Sequence, residues 1–149
     1  MFMQGQYDDG RNMPLRLLEG IGLKFRLSNT PHLKLYLATG IMYEYERWRY
    51  TQAEGGEITK GLIKSSNYLN SKYKINDKVQ LNSTLYYQGG YDGDDEVFRN
   101  RINGDCYLEV KLTERLSFLT NFSCQYEDKP IIPIKKFVYA LSSGLKLNF

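Results

Sequence analysis

Apolar and polar side chains alternate with a period of two along almost the whole chain, and this alternation limits the fold more than any other feature. In residues 15–27 the odd positions are apolar except for Glu19, and the even positions include glycines and cations. Successive side chains of a β-strand point to opposite faces, so such a segment predicts a strand with one apolar and one polar face. The pattern continues through residues 33–48, 79–91, 98–112, 116–126 and 137–149, and more weakly through residues 62–75.

The connections between these segments alternate between short turns and longer loops, and a further short strand is expected over residues 2–7. The 149 residues suit one domain. We therefore predict a single all-β domain over residues 1–149, an antiparallel up-and-down meander of about eight strands. Its two outer edges stay unpaired unless the sheet closes, so the meander predicts a β-barrel, either complete or with strands missing.

Alternation alone leaves two kinds of barrel open. In a soluble up-and-down barrel the apolar face lines the interior and could hold an apolar ligand. In a transmembrane barrel the apolar face contacts lipid and the polar face lines the lumen. The polar face of this chain mixes charges of both signs with glycine, as in a lumen filled by side chains. The charged residues expected to face this lumen are Arg16, Lys24, Arg26, Glu44, Glu46, Arg99, Arg101, Asp105, Glu109 and Lys111.

Several features favour the transmembrane barrel. The segment at residues 33–50 is longer than the usual strand of a soluble protein. Short turns at one end and longer loops at the other are typical of outer-membrane barrels. The mean hydropathy is −0.51 and no segment approaches a run of about eighteen apolar residues, which excludes a transmembrane helix but not transmembrane strands, which are polar on one face. Aromatic residues concentrate near the predicted strand ends, as in interfacial girdles, at Tyr43, Tyr45, Trp48, Tyr50, Tyr86, Tyr87, Tyr91, Tyr126 and Tyr139.

The sequence offers little for catalysis or for a metal site. The single histidine, His32, follows Pro31 in a predicted short turn. Cys106 and Cys124 are too few for a zinc site and are expected either as free thiols or as one disulfide. The acidic residues 92–96 lack the ligand spacing of an EF-hand loop. With a net charge of only +3, we predict no catalytic residue, metal, cofactor or nucleic-acid partner.

The last eight residues, Ser-Ser-Gly-Leu-Lys-Leu-Asn-Phe, resemble the terminal sorting signal of bacterial outer-membrane barrels. That signal places a glycine, an apolar residue and a final aromatic at fixed spacing, which here are Gly144, Leu147 and Phe149. The resemblance implies that the barrel-assembly machinery recognises this strand during biogenesis, and that outer-membrane lipid surrounds the folded barrel.

Residues 15–25, followed by residues 33–48 with Gly40 and the run Tyr-Glu-Tyr-Glu, resemble the DUF481 family, which includes the salt-induced outer-membrane proteins of Gram-negative bacteria. The resemblance spans residues 5–149, with similar features at residues 68–70, 110–117, 126–130 and 144–149. It implies an exported protein of the bacterial outer membrane. Its expected role is non-enzymatic, either structural and stress-related or that of a narrow pore.

Members of this family are typically longer, with a signal peptide and further strands upstream. The first residues of this chain, MFMQGQYDDGRNMP, show no charged segment followed by an apolar one. We therefore expect an N-terminally truncated member, in which either the eight strands close into a barrel or upstream strands are missing.

Overall fold

The computed structural model describes residues 1–50 and 56–147, and β-strands make up most of them. A 3-10 turn at Asp9–Arg11 joins the first two strands. The prediction of eight strands is confirmed, and the weakly patterned residues 62–75 lie almost entirely in a regular strand. No helix in the described ranges is long and apolar enough to cross a membrane. The strands are β1 (Phe2–Asp8), β2 (Met13–Asn29), β3 (Leu33–Arg49), β4 (Glu57–Lys74), β5 (Val79–Asp92), β6 (Val97–Lys111), β7 (Leu116–Glu127) and β8 (Phe137–Leu147).

Each strand pairs antiparallel with its neighbour in sequence, so the strand order is β1 to β8 and the predicted meander is confirmed. Among the described residues, β1 pairs only with β2, and β8 pairs only with β7. The sheet is therefore curled into an open half-barrel. The short β1 covers β2 only as far as the pair Phe2–Gly20, which leaves residues 21–29 of β2 unpaired on that side.

Contacts between strands that are not neighbours identify the concave face. Arg16 on β2 donates a hydrogen bond to Gln88 on β5 at 3.2 Å, and Arg101 on β6 reaches Glu44 on β3. Side chains on these separate strands meet only if the sheet curls around them. The even positions of β2 to β5 and the odd positions of β6 and β7 therefore face inward.

A pair of glycines allows β2 and β3 to approach closely on the concave face. Gly22 lies opposite Gly40 in the ladder. A Cβ atom on Gly40 would lie 2.4 Å from the carbonyl oxygen of Ile21, closer than real Cβ atoms come to other atoms. No larger side chain fits here without a backbone shift, so the two glycines permit the tight bend of the sheet.

The two faces have opposite polarity. The concave face carries buried charged residues, whereas the convex face carries exposed aliphatic residues such as Ile21 and Ile63, whose side chains are 70% and 69% exposed. This is the reverse of a soluble barrel, in which apolar side chains fill the interior. The alternative of a soluble barrel with an apolar interior therefore does not fit the described residues.

An apolar cluster covers the end of the half-barrel at which the connections after β1, β3, β5 and β7 lie, here called the long-loop end. Met13, Trp48 and Ile132 form its buried centre. Ile132 belongs to the connection between β7 and β8, so this loop folds over the strand ends. We call this cluster the apolar cap. The partly buried side chains that pack against it are Tyr50, Ile58, Ile131 and Ile134.

The aromatic girdle expected from the sequence is therefore wrong at some positions. Trp48 is 0% exposed and belongs to the apolar cap, together with Tyr50. Trp48 has the same parity as Glu44 and Glu46 on β3, and this parity places it inside. Tyr86 also lies on the concave side, where its ring contacts Tyr68 at 5.3 Å between centroids. The outward parity holds for Tyr43, Tyr45, Tyr87, Tyr91, Tyr126 and Tyr139.

Candidate functional site

A network of buried ion pairs centres on Glu44 of β3, which is 1% exposed. Arg16 on β2 donates from Nε to Oε1 of Glu44 at 2.5 Å. Arg101 on β6 donates to the same oxygen, and the ammonium of Lys64 on β4 pairs with Oε2. The carboxylate of Glu44 therefore forms ion pairs with side chains from three other strands. Burial of a charge costs free energy unless it is paired, and here each charge has a partner.

Glu46, two residues further along β3, extends the network towards the apolar cap. Its Oε1 accepts from Nη2 of Arg101 at 2.8 Å and lies 3.1 Å from Nε of Arg16. Its Oε2 accepts from the indole nitrogen of Trp48 at 3.1 Å. The indole therefore joins the charged network to the apolar cap.

Glu127 at the end of β7 connects the network to the far side of the sheet. Nε of Arg101 donates to it at 3.0 Å, and Arg11 donates to it at 2.9 Å from the turn before β2. Gln125 donates to the same carboxylate at 2.7 Å. These contacts hold the turn after β1 and the strand β7 together across the open side of the half-barrel.

A second charged cluster lies at the start of the connection between β5 and β6. Asp92, 1% exposed, accepts from Nε of Arg99 at 2.8 Å and from Lys60 at 3.3 Å. Burial raises the pKa of this carboxyl, but the hydrogen bonds from Arg99 and Lys60 outweigh it and lower the pKa from 3.8 to about 2. Arg99 and Lys60 also pair with Asp95.

The second cluster lies in the acidic segment at residues 92–96, whose spacing does not match that of an EF-hand loop. The carboxylates of Asp92, Asp94 and Asp95 pair with Lys60 or Arg99, and the backbone N–H groups of residues 94 and 95 donate to Asp92. No group of three or more metal-binding side chains is present in the ranges that the structure describes. The acidic loop therefore belongs to the ion-pair system of the long-loop end.

A polar cavity of about 490 Å³ lies next to the network, on the concave side behind the gap between β1 and β8. Arg16 and Gln88 form the boundary between cavity and network, since both line the cavity and hydrogen-bond to each other. Most of the lining side chains are amides, hydroxyls or small residues from β1, β2, β5, β6, β7 and β8.

The charged residues predicted to face the lumen fall into two groups along the concave face. Arg16, Glu44, Glu46, Arg99 and Arg101 are buried in the two clusters at the long-loop end. The remaining five lie towards the opposite, short-turn end and are exposed or partly exposed. There Lys24 lies 4.6 Å above the ring of Tyr36, and Lys146 donates to Glu109 at 3.3 Å. The exposed or partly exposed group comprises Lys24, Arg26, Asp105, Glu109 and Lys111.

Lys64, Lys60 and Asp92 take part in these clusters but were not predicted. Lys64 lies in the segment whose alternation was weakest, and Lys60 was assigned to the connection before β4. The ladder shows that β4 begins at Glu57, where it pairs with Arg49. Extending the even parity of Leu62 backwards would have placed Lys60 on the inner face.

Three further residues named from the sequence, Cys106, Cys124 and His32, take no part in the ion-pair network, although Cys124 lines the polar cavity. Cys106 pairs with Phe122 and Cys124 with Gly104, so the two cysteines are diagonal neighbours, and both are free thiols. His32 is exposed in the turn before β3. Of the assembly signal, Gly144 and Leu147 lie in β8 opposite Leu119 and Leu116. Phe149 lies outside the described residues.

A family model described as "Protein of unknown function, DUF481" matches residues 1–142. The chain belongs to the DUF481 family. The resemblance read from the patterned strands is thus confirmed, whereas the description of some members as salt-induced stays an expectation for this DUF481 chain. No curated protein and no solved structure matches it.

Proposed function

We propose that this DUF481 chain is a β-barrel protein of the bacterial outer membrane, with a structural, stress-related role and no catalytic activity. The observation that carries the proposal is the reversed polarity of the sheet. Buried ion pairs fill the concave face, and large apolar side chains cover the convex face. In water such a surface would be unfavourable, whereas lipid would cover it.

The dimensions of the convex apolar surface support lipid contact. On each long strand the outward-facing apolar side chains extend over a stretch similar to the roughly 9–11 residues that a tilted strand needs to cross a bilayer. Single polar side chains interrupt most of these stretches, and on β4 the three residues Ser65, Asn67 and Ser71 interrupt the stretch. The outward-facing stretches cover residues 17–27, 33–43, 63–73, 81–91, 98–108, 118–126 and 137–147.

The filled long-loop end favours a structural role over that of a pore. The network around Glu44 and the apolar cap around Trp48 occupy the space that an aqueous channel would need. Such a barrel conducts few ions. A large, steady conductance of the purified protein in planar bilayers would contradict this part of the proposal.

Two partners follow from the proposal. Outer-membrane lipid covers the convex face, and the barrel-assembly machinery recognises β8 through Gly144, Leu147 and the terminal Phe149. Replacement of Phe149 by Ala should reduce the amount of assembled protein in cells. Phe137→Ala, at the opposite end of β8 and half exposed, is the matched control and should assemble normally.

The experiment that tests the proposal uses the full reading frame in its native host. Outer membranes are isolated, and boiled and unboiled samples are compared by gel electrophoresis. The proposal expects recovery in this fraction with a mobility that changes on heating, because a folded barrel resists the detergent until boiled. Recovery in the soluble fraction without a shift would contradict it.

A further inference from the structure

The cavity beside the ion-pair network offers a binding surface that the proposed structural role does not use. It has about 490 Å³, within the range of roughly 300–1,000 Å³ typical of small-molecule sites. Its walls come from both ends of the sheet, with Gln4 and Gln6 on one side and Val138 and Ala140 on the other. The cavity is therefore an open cleft on the concave side of the half-barrel.

The lining is polar without a free positive charge. Arg16 is the cation in the wall, and its guanidinium is committed to Glu44, Glu46, Gln6 and Gln88. A ligand therefore meets amide and hydroxyl groups rather than an unpaired cation. This excludes a phosphate-like anion as the preferred ligand.

Several of these polar groups are available for a ligand. Within residues 1–50 and 56–147, the side chains of Gln4, Asn103, Asp105 and Ser123 have no hydrogen-bond partner. Amide side chains both donate and accept, and a carboxylate accepts. Neighbouring hydroxyl groups on a small molecule also donate and accept, so they match this set.

Tyr86 adds an aromatic surface to the same wall. Its ring lines the cavity and is held from behind by Tyr68, with ring centroids 5.3 Å apart. On β6, Asn103 lies directly opposite Tyr86 in the ladder. A ring next to an amide can hold the C–H face of a pyranose while the amide bonds its hydroxyls.

We propose that this cavity binds a small neutral polyhydroxylated compound, either a free saccharide of one or two rings or the sugar headgroup of a glycolipid. The proposal does not depend on insertion into a membrane, since its residues lie on the concave face.

The test uses the full chain folded in a detergent without sugar groups. Maltose represents the free saccharide, and a short-chain alkyl maltoside below its micelle concentration represents the headgroup. Isothermal titration should show binding of at least one probe with a dissociation constant near or below about 1 mM. Asn103→Ala should weaken it about tenfold, as expected for one lost hydrogen-bonding group.

Asn121→Ala is the matched control. Asn121 lies on the inward parity of β7, is partly buried like Asn103, and does not line the cavity. It should leave binding unchanged. A second pair of variants covers the case in which Asn103→Ala fails to fold: Tyr86→Phe should keep binding, and Tyr86→Leu should weaken it.

The two probes separate the two ligand sources. Binding of both indicates a free saccharide site, and binding of the alkyl maltoside alone indicates a headgroup site. The proposal is wrong if neither probe binds at about 10 mM, a concentration well above the affinity expected. It is also wrong if all variants bind as tightly as the parent chain.

Discussion

Glu44 on β3 and Arg101 on β6 form a buried ion pair, although β4 and β5 lie between their strands. Nε and Nη2 of Arg101 extend the contact to Glu127 and Glu46. The planar guanidinium presents its donors in a fixed fork, so one side chain sets the distance between β3 and β7. We infer that this pair fixes the curl of the sheet at its long-loop end.

Removal of the central carboxylate should therefore destabilise the fold. Glu44→Gln leaves Arg16, Arg101 and Lys64 buried with one charge fewer to balance them. Loss of one partner from a buried network costs about 3–5 kcal/mol of unfolding free energy. Urea unfolding of the refolded protein, followed by tryptophan fluorescence, measures this.

The control for this change is Glu57→Gln. Glu57 pairs with Arg47 at 3.9 Å on the surface, and both side chains are more than two-fifths exposed. Exposed pairs contribute about 0–1 kcal/mol. Equal losses for the two variants would show that burial of the network does not stabilise the fold.

Trp48 should hold the connection between β7 and β8 over the strand ends. Trp48→Ala empties the centre of the apolar cap and removes the donor to Glu46, at a cost of about 3–5 kcal/mol. The loop should then open locally, and trypsin should cleave faster after Lys135 and Lys136. Mass spectrometry of the early fragments measures the rate.

Tyr91→Ala provides the comparison, since Tyr91 is a convex aromatic that is 60% exposed. Its removal should leave cleavage in residues 128–136 unchanged. If Trp48→Ala cleaves no faster than this control, the loop is held by other contacts, such as Asp128 with Asn100.

The strands and their order could be predicted from the sequence because both depend on local rules. A period of two sets the faces of each strand, and short turns force neighbours to pair antiparallel. These two rules predict strands β2 and β3 and the inward positions of Arg16, Glu44 and Glu46. The rule is local, so it holds wherever a strand continues without a bulge.

The clusters could not be predicted because they depend on the curl of the whole sheet. Parity places Glu44 and Arg101 on one face, but only the curvature brings β3 and β6 together. Asp92 and Lys60 were read as loop residues, since polar strand ends have no apolar alternation. Residue type alone predicts that Trp48 belongs to an aromatic girdle, whereas its even position on β3 places it on the concave face.

A charge on the convex face should distinguish lipid contact from solvent contact. Leu23 is 66% exposed and lies near the middle of the stretch at residues 17–27. If it faces the bilayer midplane, Leu23→Arg should lower the unfolding free energy in lipid vesicles by roughly 2–4 kcal/mol. Lys24→Leu changes the adjacent inward position and should have a much smaller effect. A neutral result for Leu23→Arg would mean that this face is in contact with water.

Acid should weaken the cluster at the start of the β5–β6 connection before it affects neutral contacts. Asp92 follows the convex stretch at residues 81–91, so it lies beyond the proposed bilayer. Its folded-state pKa of about 2 is below the ordinary 3.8, so its stabilising effect is complete above about pH 4 and is lost as the pH falls towards 2. The shift corresponds to at most about 2 kcal/mol. The unfolding free energy measured between pH 5 and pH 2 should fall more steeply in the parent chain than in Asp92→Asn, because the amide cannot titrate in this range. The control is Glu114→Gln, in the exposed turn before β7, which should keep the pH profile of the parent chain. Parallel curves for the parent and Asp92→Asn would mean that the pairs with Arg99 and Lys60 do not stabilise the folded state.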